Sequence, residues 1–374
     1  MDTRRFSIKE TCRANPIHVV KPADFVTEPA DEIEPESLVN DPRFTLYCFD
    51  PENQAALFVE SNDPAAVDKA AFYYQGQVDH AVGLVSMPLE AFHRVALEIP
   101  KPPKGVIFIH SVGRCGSTLV SKVLEAVPAV HSLSEPDDLT QLVNLSNTGG
   151  FTNEWVRECL ASSLRWRGKP RFGPSADFLA IKSRSEVMVL ADSLGDLFPE
   201  AKHFFLYRNA LSWMGTLFRG FPADRDVYDE ELNRKVEDGW AKTIPLVTEL
   251  RRPDKPMNPV QVRVLAWITC MEGYLKLRQM DIPTCAARFE DITADPKAVL
   301  EPFFQFCGID DVDWSAMEEV LSRDSQAGTI YDRDLRRQYT RELTEDLRQD
   351  IRSLIASRPG LQVPDVVLPG TIGI

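Results

Sequence analysis

Beyond residue 105 two hydrophobic patterns alternate. Short, nearly unbroken apolar runs are followed by stretches whose apolar positions recur every three or four residues, the pattern of strands leading into amphipathic helices. The spacing predicts strands at 106–110, 178–182 (FLAIK), 203–207 (HFFLY) and 284–289, and helices at 117–127, 186–198, 210–220, 229–250 and 260–280. Asp295 before Pro296 reads as an N-cap with proline at the first helical position. Strand and helix in repeated succession imply an α/β fold, a parallel sheet covered by helices on both faces. In such sheets ligands sit at the carboxyl ends of the strands, where Ser111 to Gly116, Ser183–Arg184 and Arg208 fall.

Residues 1–104 have another texture. Proline and acidic residues are frequent through Glu36, β-like runs follow at 44–49 (FTLYCF) and 55–60 (AALFVE), and a helical pattern covers 87–96. The connector IPKPPKG, 99–105, continues neither a helix nor a central strand. The expected organisation is therefore an α+β N-terminal extension, 1–104, before an α/β domain, 105–374.

Composition narrows the function classes. The 374 residues are 44% apolar with 9% aromatics, as in a water-soluble globular chain, and no apolar run reaches the ~18–20 residues of a membrane span. The first residues carry basic side chains without an apolar core behind them, unlike a secretory signal. Seven scattered cysteines with no C-x-x-C pair point to a reducing, cytoplasmic setting. A net charge of −14 disfavours nucleic acid and long polyanionic acceptors, yet a local arginine cluster can still hold a small anion. Oligomeric state is not legible.

The chemistry concentrates in VIFIHSVGRCGSTLVSKVLEAV, 106–127. A strand feeding a helix through a glycine-containing loop directs backbone N–H groups into one concavity, and the helix dipole adds positive potential there. A nucleotide-triphosphate loop carries lysine after its last glycine. Here Ser117 follows Gly116 and the cation, Arg114, precedes it, so the loop suits an anion without being a Walker A sequence.

Three segments, taken together, resemble the sulfotransferases that use 3′-phosphoadenosine 5′-phosphosulfate (PAPS), in particular their bacterial-type branch. GRCGST, 113–118, is similar to the family's 5′-phosphosulfate loop, with Arg114 on the basic position and Gly116, Ser117 and Thr118 on the glycine and hydroxyl positions. Gly113 replaces the usual proline and Cys115 the first serine. FPEAKHFFLYRNALSWMGTLFR, 198–219, resembles the strand and helix that hold the 3′-phosphate, with Arg208 and, eight positions on, Thr216; Ala210 replaces a proline. ARFEDITADP, 287–296, resembles the RYEDL…DP segment, with Phe289 as its aromatic. LAIKSRSE resembles the branch's K-[ST]-P strand end, with Arg184 in place of proline. The likeness covers about residues 105–330.

The resemblance implies a P-loop-type sulfotransferase fold and PAPS as co-substrate, with PAP as product and no metal. It implies sulfuryl transfer to a hydroxyl or amine of a small acceptor through a loose, in-line transition state. Gly113, Arg114, Cys115, Gly116, Ser117 and Thr118 would bind the 5′ end; Arg208, Ser212 and Thr216 the 3′-phosphate; Phe289, Ser325, Gln326 and Thr329 further parts of the nucleotide. Lys182 or Arg114 would stabilise the leaving phosphate. Glu135, in the loop 131–138 (HSLSEPDD), is the candidate base, with His131 its rival.

Plainer readings stand beside these. SEPD is also an ordinary helix start, His110 a packed residue, Glu290 and Asp291 structural, and Trp155, Trp166, Trp213 and Trp240 core side chains. A cysteine at a helix start invites a nucleophile, but no histidine accompanies Cys115. A nucleotide-binding protein of this fold without transferase activity is the alternative function, and a kinase a more distant one.

Overall fold

A computed structural model describes residues 2–13, 15, 17–102, 104–170, 176–220, 229–310, 312–323 and 342–373. In chain order its strands are β1 (Arg4–Thr11), β2 (Phe25–Glu32), β3 (Phe44–Asp50), β4 (Ala55–Ser61), β5 (Ala81–Pro88), β6 (Gly105–Ser111), β7 (Val130–Ser134), β8 (Phe178–Lys182), β9 (Lys202–Tyr207) and β10 (Thr284–Arg288). The fold is α/β, with parallel strands flanked by helices and an antiparallel sheet built by the N-terminal residues. The chain forms two compact units, Met1–Val106 with Leu124–Ser183 and Ile107–Val123 with Arg184–Ile374.

In unit one the antiparallel sheet has the order β2–β1–β5–β4–β3. β3 and β4 are apolar on both faces and almost wholly buried, which is why their runs were legible. β1 and β2 are not visible in the hydrophobic pattern. Their sequences, RRFSIKET and FVTEPADE, carry polar groups on most positions and lie mainly exposed. Pro29 is tolerated because β2 is an edge strand, which needs no second ladder of N–H donors. The helix Leu89–Glu98 covers β4 and β5, and Phe58 and Phe92 pack on Trp166 with ring centroids 4.8 and 6.0 Å away. The same unit holds the parallel pair β7–β8, in register from Val130↔Phe178 to Ser134↔Lys182.

Unit two holds the parallel strands in the order β10–β9–β6. Consecutive β9 residues point to opposite faces. Phe204 stacks on Phe303 of the helix Pro296–Cys307 (4.1 Å), whereas Phe205 stacks on Tyr274 of the helix Pro259–Gln279 (5.1 Å). Both faces are therefore covered by helices, which explains the unbroken apolar run HFFLY.

Several boundaries differ from expectation for local reasons. The expected helix 186–198 is a 3-10 turn, Ser185–Leu190, followed by the α-helix Ala191–Leu197. The helix expected over 229–250 is two, Glu230–Ala241 and Pro245–Leu250, because Pro245 cannot continue the first. The strand expected to reach Phe289 ends at Arg288, and Phe289 opens the helix Phe289–Ala294. Met87 belongs to β5 rather than to the helix after it. Asp295 caps as expected, its carboxylate accepting the Ala298 N–H at 3.1 Å.

Candidate functional site

β6 ends at Ser111, and the chain turns into the helix Ser117–Glu125. Three residues of that turn adopt left-handed backbone: Gly113 at φ 76°, Arg114 at 54° and Gly116 at 85°. Such a path curls N–H groups toward one side, and the helix start adds its dipole, so the loop is suited to an anion. Ser111 Oγ accepts the Gly113 N–H and donates to Ser117 Oγ, each at 3.2 Å. The Trp213 indole donates to the carbonyls of Val112 (3.1 Å) and Gly113 (3.0 Å), anchoring the loop to the helix Ala210–Gly220. The Cys115 thiol is buried and donates to the Leu206 carbonyl of β9. It belongs to the core side of the loop, and only its backbone is available to line the turn. Ser117 and Thr118 are buried at the helix start, and Arg114 is half-buried.

Behind the loop, His110 on β6 and His203 on β9 share a hydrogen bond of 3.0 Å, both about fully buried. Burial lowers the His110 pKa to about 3. Burial, and then the neighbouring His110, holds His203 well below the ordinary histidine range. Both rings are neutral packing groups at pH 7, as the plainer reading of His110 expects.

A second polar cluster forms where β9 ends. Arg208 Nε donates to Ser212 Oγ at 2.9 Å, one turn into the following helix, and the Trp267 indole donates to the Arg208 carbonyl at 3.1 Å. The guanidinium lies over the Phe289 ring, 4.3 Å from its centroid, a cation–π contact. The same ring borders the loop: a Cβ on Gly116 would come to 3.6 Å from it. Phe289 thus joins the loop to Arg208 within unit two. Thr216, expected to share the phosphate with Arg208, donates its hydroxyl to the Ser212 carbonyl at 3.1 Å. Ser212 is the hydroxyl at the arginine.

The chain has counterparts among solved structures. No family model matches it, and no curated protein does. Among solved structures it is similar to the sulfotransferase domain from the curacin biosynthetic pathway, at 16% identity over 68% of this chain and 98% of that one, with a TM-score of 0.39. It is similar to the sulfotransferase domain of the Synechococcus PCC 7002 olefin synthase, at 20% identity over 70% and 98%, with a TM-score of 0.36. It is also similar to mouse sulfotransferase SULT7A1 in complex with PAP, at 13% identity over 68% and 84%, with a TM-score of 0.40.

In unit one the β7–β8 register sets two other candidates side by side. Lys182 ends β8 and Glu135 follows β7; their side chains form an ion pair, and the Glu135 N–H donates to the Lys182 carbonyl at 2.6 Å. Lys182 is only 4% exposed and lies 5.8 Å from the Phe72 ring centroid. Glu135 has φ 59°, a backbone conformation that costs a non-glycine residue free energy and recurs at functional positions. His131 is inside β7, not at the start of the loop, and its Nε2 lies 3.5 Å from Asp68 Oδ2. The helix after SEPD is Asp138–Asn147, but Asp137 makes no side-chain cap. Its carboxylate accepts the Val20 N–H at 3.0 Å.

Ser325, Gln326 and Thr329 lie outside the described residues. Among the described residues no group of three or more His, Cys, Asp or Glu side chains could hold a metal, and no helix is long and apolar enough to cross a membrane. Trp166 and Trp213 are core side chains, while Trp155 and Trp240 are half-buried. Sequence reasoning missed two participants. Trp213 holds the loop through its indole N–H, and Glu290 Oε1 accepts from Ser212 Oγ at 3.3 Å and lies 3.9 Å from Arg208 Nε. Asp291, by contrast, is structural, held by Arg288 through two bonds of 2.7 and 2.8 Å.

Proposed function

We propose that this chain is a PAPS-dependent sulfotransferase, moving a sulfuryl group to a hydroxyl or amine of a small acceptor and releasing PAP. One observation carries the reading. The Phe289 ring borders both the left-handed loop at the helix start and the Arg208 guanidinium, so two features suited to anions flank one aromatic surface. A nucleotide with anionic groups at its 5′ and 3′ positions fits that pairing better than one with a single phosphate chain. Loop N–H groups and Arg114 would take the 5′ end, and Arg208 with Ser212 the 3′-phosphate. Thr216 remains a candidate beyond them, as do Ser325, Gln326 and Thr329.

In the reaction the acceptor oxygen or nitrogen attacks sulfur, and the bond from sulfur to the bridging oxygen breaks. PAP leaves with that electron pair, and the acceptor proton goes to a base. Glu135 is proposed as the base, and Lys182 or Arg114 as the cation that stabilises the leaving phosphate. The ion pair between Glu135 and Lys182 couples the two roles, because a change at either side chain alters the surroundings of the other. A cytoplasmic setting and a small acceptor belong to the same proposal; no two of the seven cysteines are joined in a disulfide.

Calorimetry with 3′,5′-ADP and 5′-ADP tests the donor site. A preference for the 3′-phosphorylated ligand that falls ~10-fold or more in Arg208→Ala is expected, the loss of a charge-assisted contact. Equal binding of both nucleotides, or tight ATP binding, overturns it. Glu135→Gln is expected to keep nucleotide affinity and lose ~10²-fold or more of turnover in a screen with labelled PAPS and small acceptors. Nucleotide binding without turnover of any acceptor would favour the binding-protein alternative.

A further inference from the structure

Glu290 stands out because of how loosely it is held. Its neighbour Asp291 is gripped by Arg288 through two short bonds, whereas Glu290 accepts at 3.3 Å from Ser212, whose one hydroxyl proton has the Asn209 carbonyl as a 3.2 Å alternative, and approaches Arg208 to 3.9 Å. Its Oε2 is buried with no hydrogen-bond partner among the described residues, although the side chain as a whole is 40% exposed. This carboxylate is incompletely satisfied where it lies and has an open path to water. It also lies against the arginine and hydroxyl that the donor reading assigns to the 3′-phosphate.

We propose that Glu290 tunes the affinity of the donor site, a built-in counter-anion that competes with the nucleotide 3′-phosphate for Arg208 and Ser212 and must be displaced by it. The inference rests on the donor reading given above. A phosphate and a carboxylate cannot share one guanidinium and one hydroxyl at a few ångströms without like-charge repulsion, so binding requires Glu290 to swing outward. Only a ligand with a charge-rich group at that position gains enough from Arg208 to drive the exchange. A nucleotide with a free 3′-hydroxyl leaves Glu290 in place and can offer it a donor. The same displacement weakens the hold on every 3′-phosphorylated nucleotide alike, donor and product included.

The test is calorimetry of 3′,5′-ADP and 5′-ADP with the full chain, Glu290→Gln, Arg208→Ala and the double variant. Glutamine keeps the shape and the acceptor for Ser212 while removing the charge. Glu290→Gln is expected to bind 3′,5′-ADP ~10-fold more tightly, about 1.4 kcal/mol, with 5′-ADP unchanged within about twofold. The gain is expected to vanish in the double variant. A Glu290→Gln variant that binds 3′,5′-ADP no more tightly, or gains equally for both nucleotides, overturns the inference while leaving the donor site intact. If the unsubstituted chain shows no 3′-phosphate preference, the donor reading fails and the inference falls with it. A merely structural role for Glu290 would lower the melting temperature without separating the two nucleotides.

Discussion

Gly113 stands where the resembling loops usually carry proline, and its backbone explains why the exchange is not neutral. Its φ of 76° lies far from the −65° that a pyrrolidine ring imposes, and its N–H donates to Ser111 Oγ. Gly113→Pro is therefore expected to cost ~3 kcal/mol or more of stability or to refold the loop, read by urea unfolding and by loss of nucleotide affinity. Unchanged binding would count against the proposed role of the loop path in nucleotide binding. Ala210 has a similar history. It too replaces a proline, and its N–H donates to the Pro364 carbonyl at 3.0 Å, a bond that proline cannot make. These two departures were legible in the sequence; their reasons were not, because they lie in φ angles and in a partner more than a hundred residues away.

At the scale of elements, β6 and β9 carry the buried histidine pair between the loop and the core. His110 is pushed down to about 3 and His203 well below its usual range, so neither takes a proton readily in the folded state. The unfolded chain protonates both as the pH falls through ~6.5, and by linkage the folded state then loses stability, by about 1.4 kcal/mol per pH unit for each histidine. The loss is absent above the unfolded value and continues down to about 3 for His110. Urea midpoints measured from pH 7 to 4.5 are expected to fall along this slope. His110→Phe is expected to lower stability at pH 7 but to flatten the fall by about 1.4 kcal/mol per unit. An identical slope in the variant would assign the acid sensitivity to carboxylates. Helix and strand pattern located both strands within a residue or so, because each is a continuous apolar run between turns. It missed β1 and β2, whose half-exposed faces mix charges with the apolar positions and leave no clean period.

Across the whole molecule, distant segments complete unit two. The buried Tyr207 hydroxyl accepts the Leu368 N–H at 3.0 Å and shares a 2.8 Å hydrogen bond with Thr371, while Ala286 of β10 bonds to Gly370 and Ile372 (3.0 and 2.8 Å). Residues 368–372 thereby satisfy part of the free edge of β10, an edge that would otherwise be open to pairing. Tyr207→Phe leaves the Leu368 N–H unmatched, while the Thr371 hydroxyl keeps its 2.7 Å bond to the Leu368 carbonyl, and is expected to cost ~1–3 kcal/mol in urea unfolding. A smaller loss would mean that the segment is held by its backbone bonds alone.

The amino-acid sequence by itself determined the α/β alternation, the glycine-containing loop after β6, and the arginine at the end of β9. These are encoded by local periodicity and by residue types that act within one strand, turn and helix. Only the tertiary structure decided which side chains meet. It set Ser212 rather than Thr216 against Arg208, turned the Cys115 thiol into the core, paired Glu135 with Lys182 through the β7–β8 register, and brought Glu290 beside Arg208. Each of these depends on contacts between segments far apart in the chain or on a particular rotamer, and neither spacing nor composition carries that information.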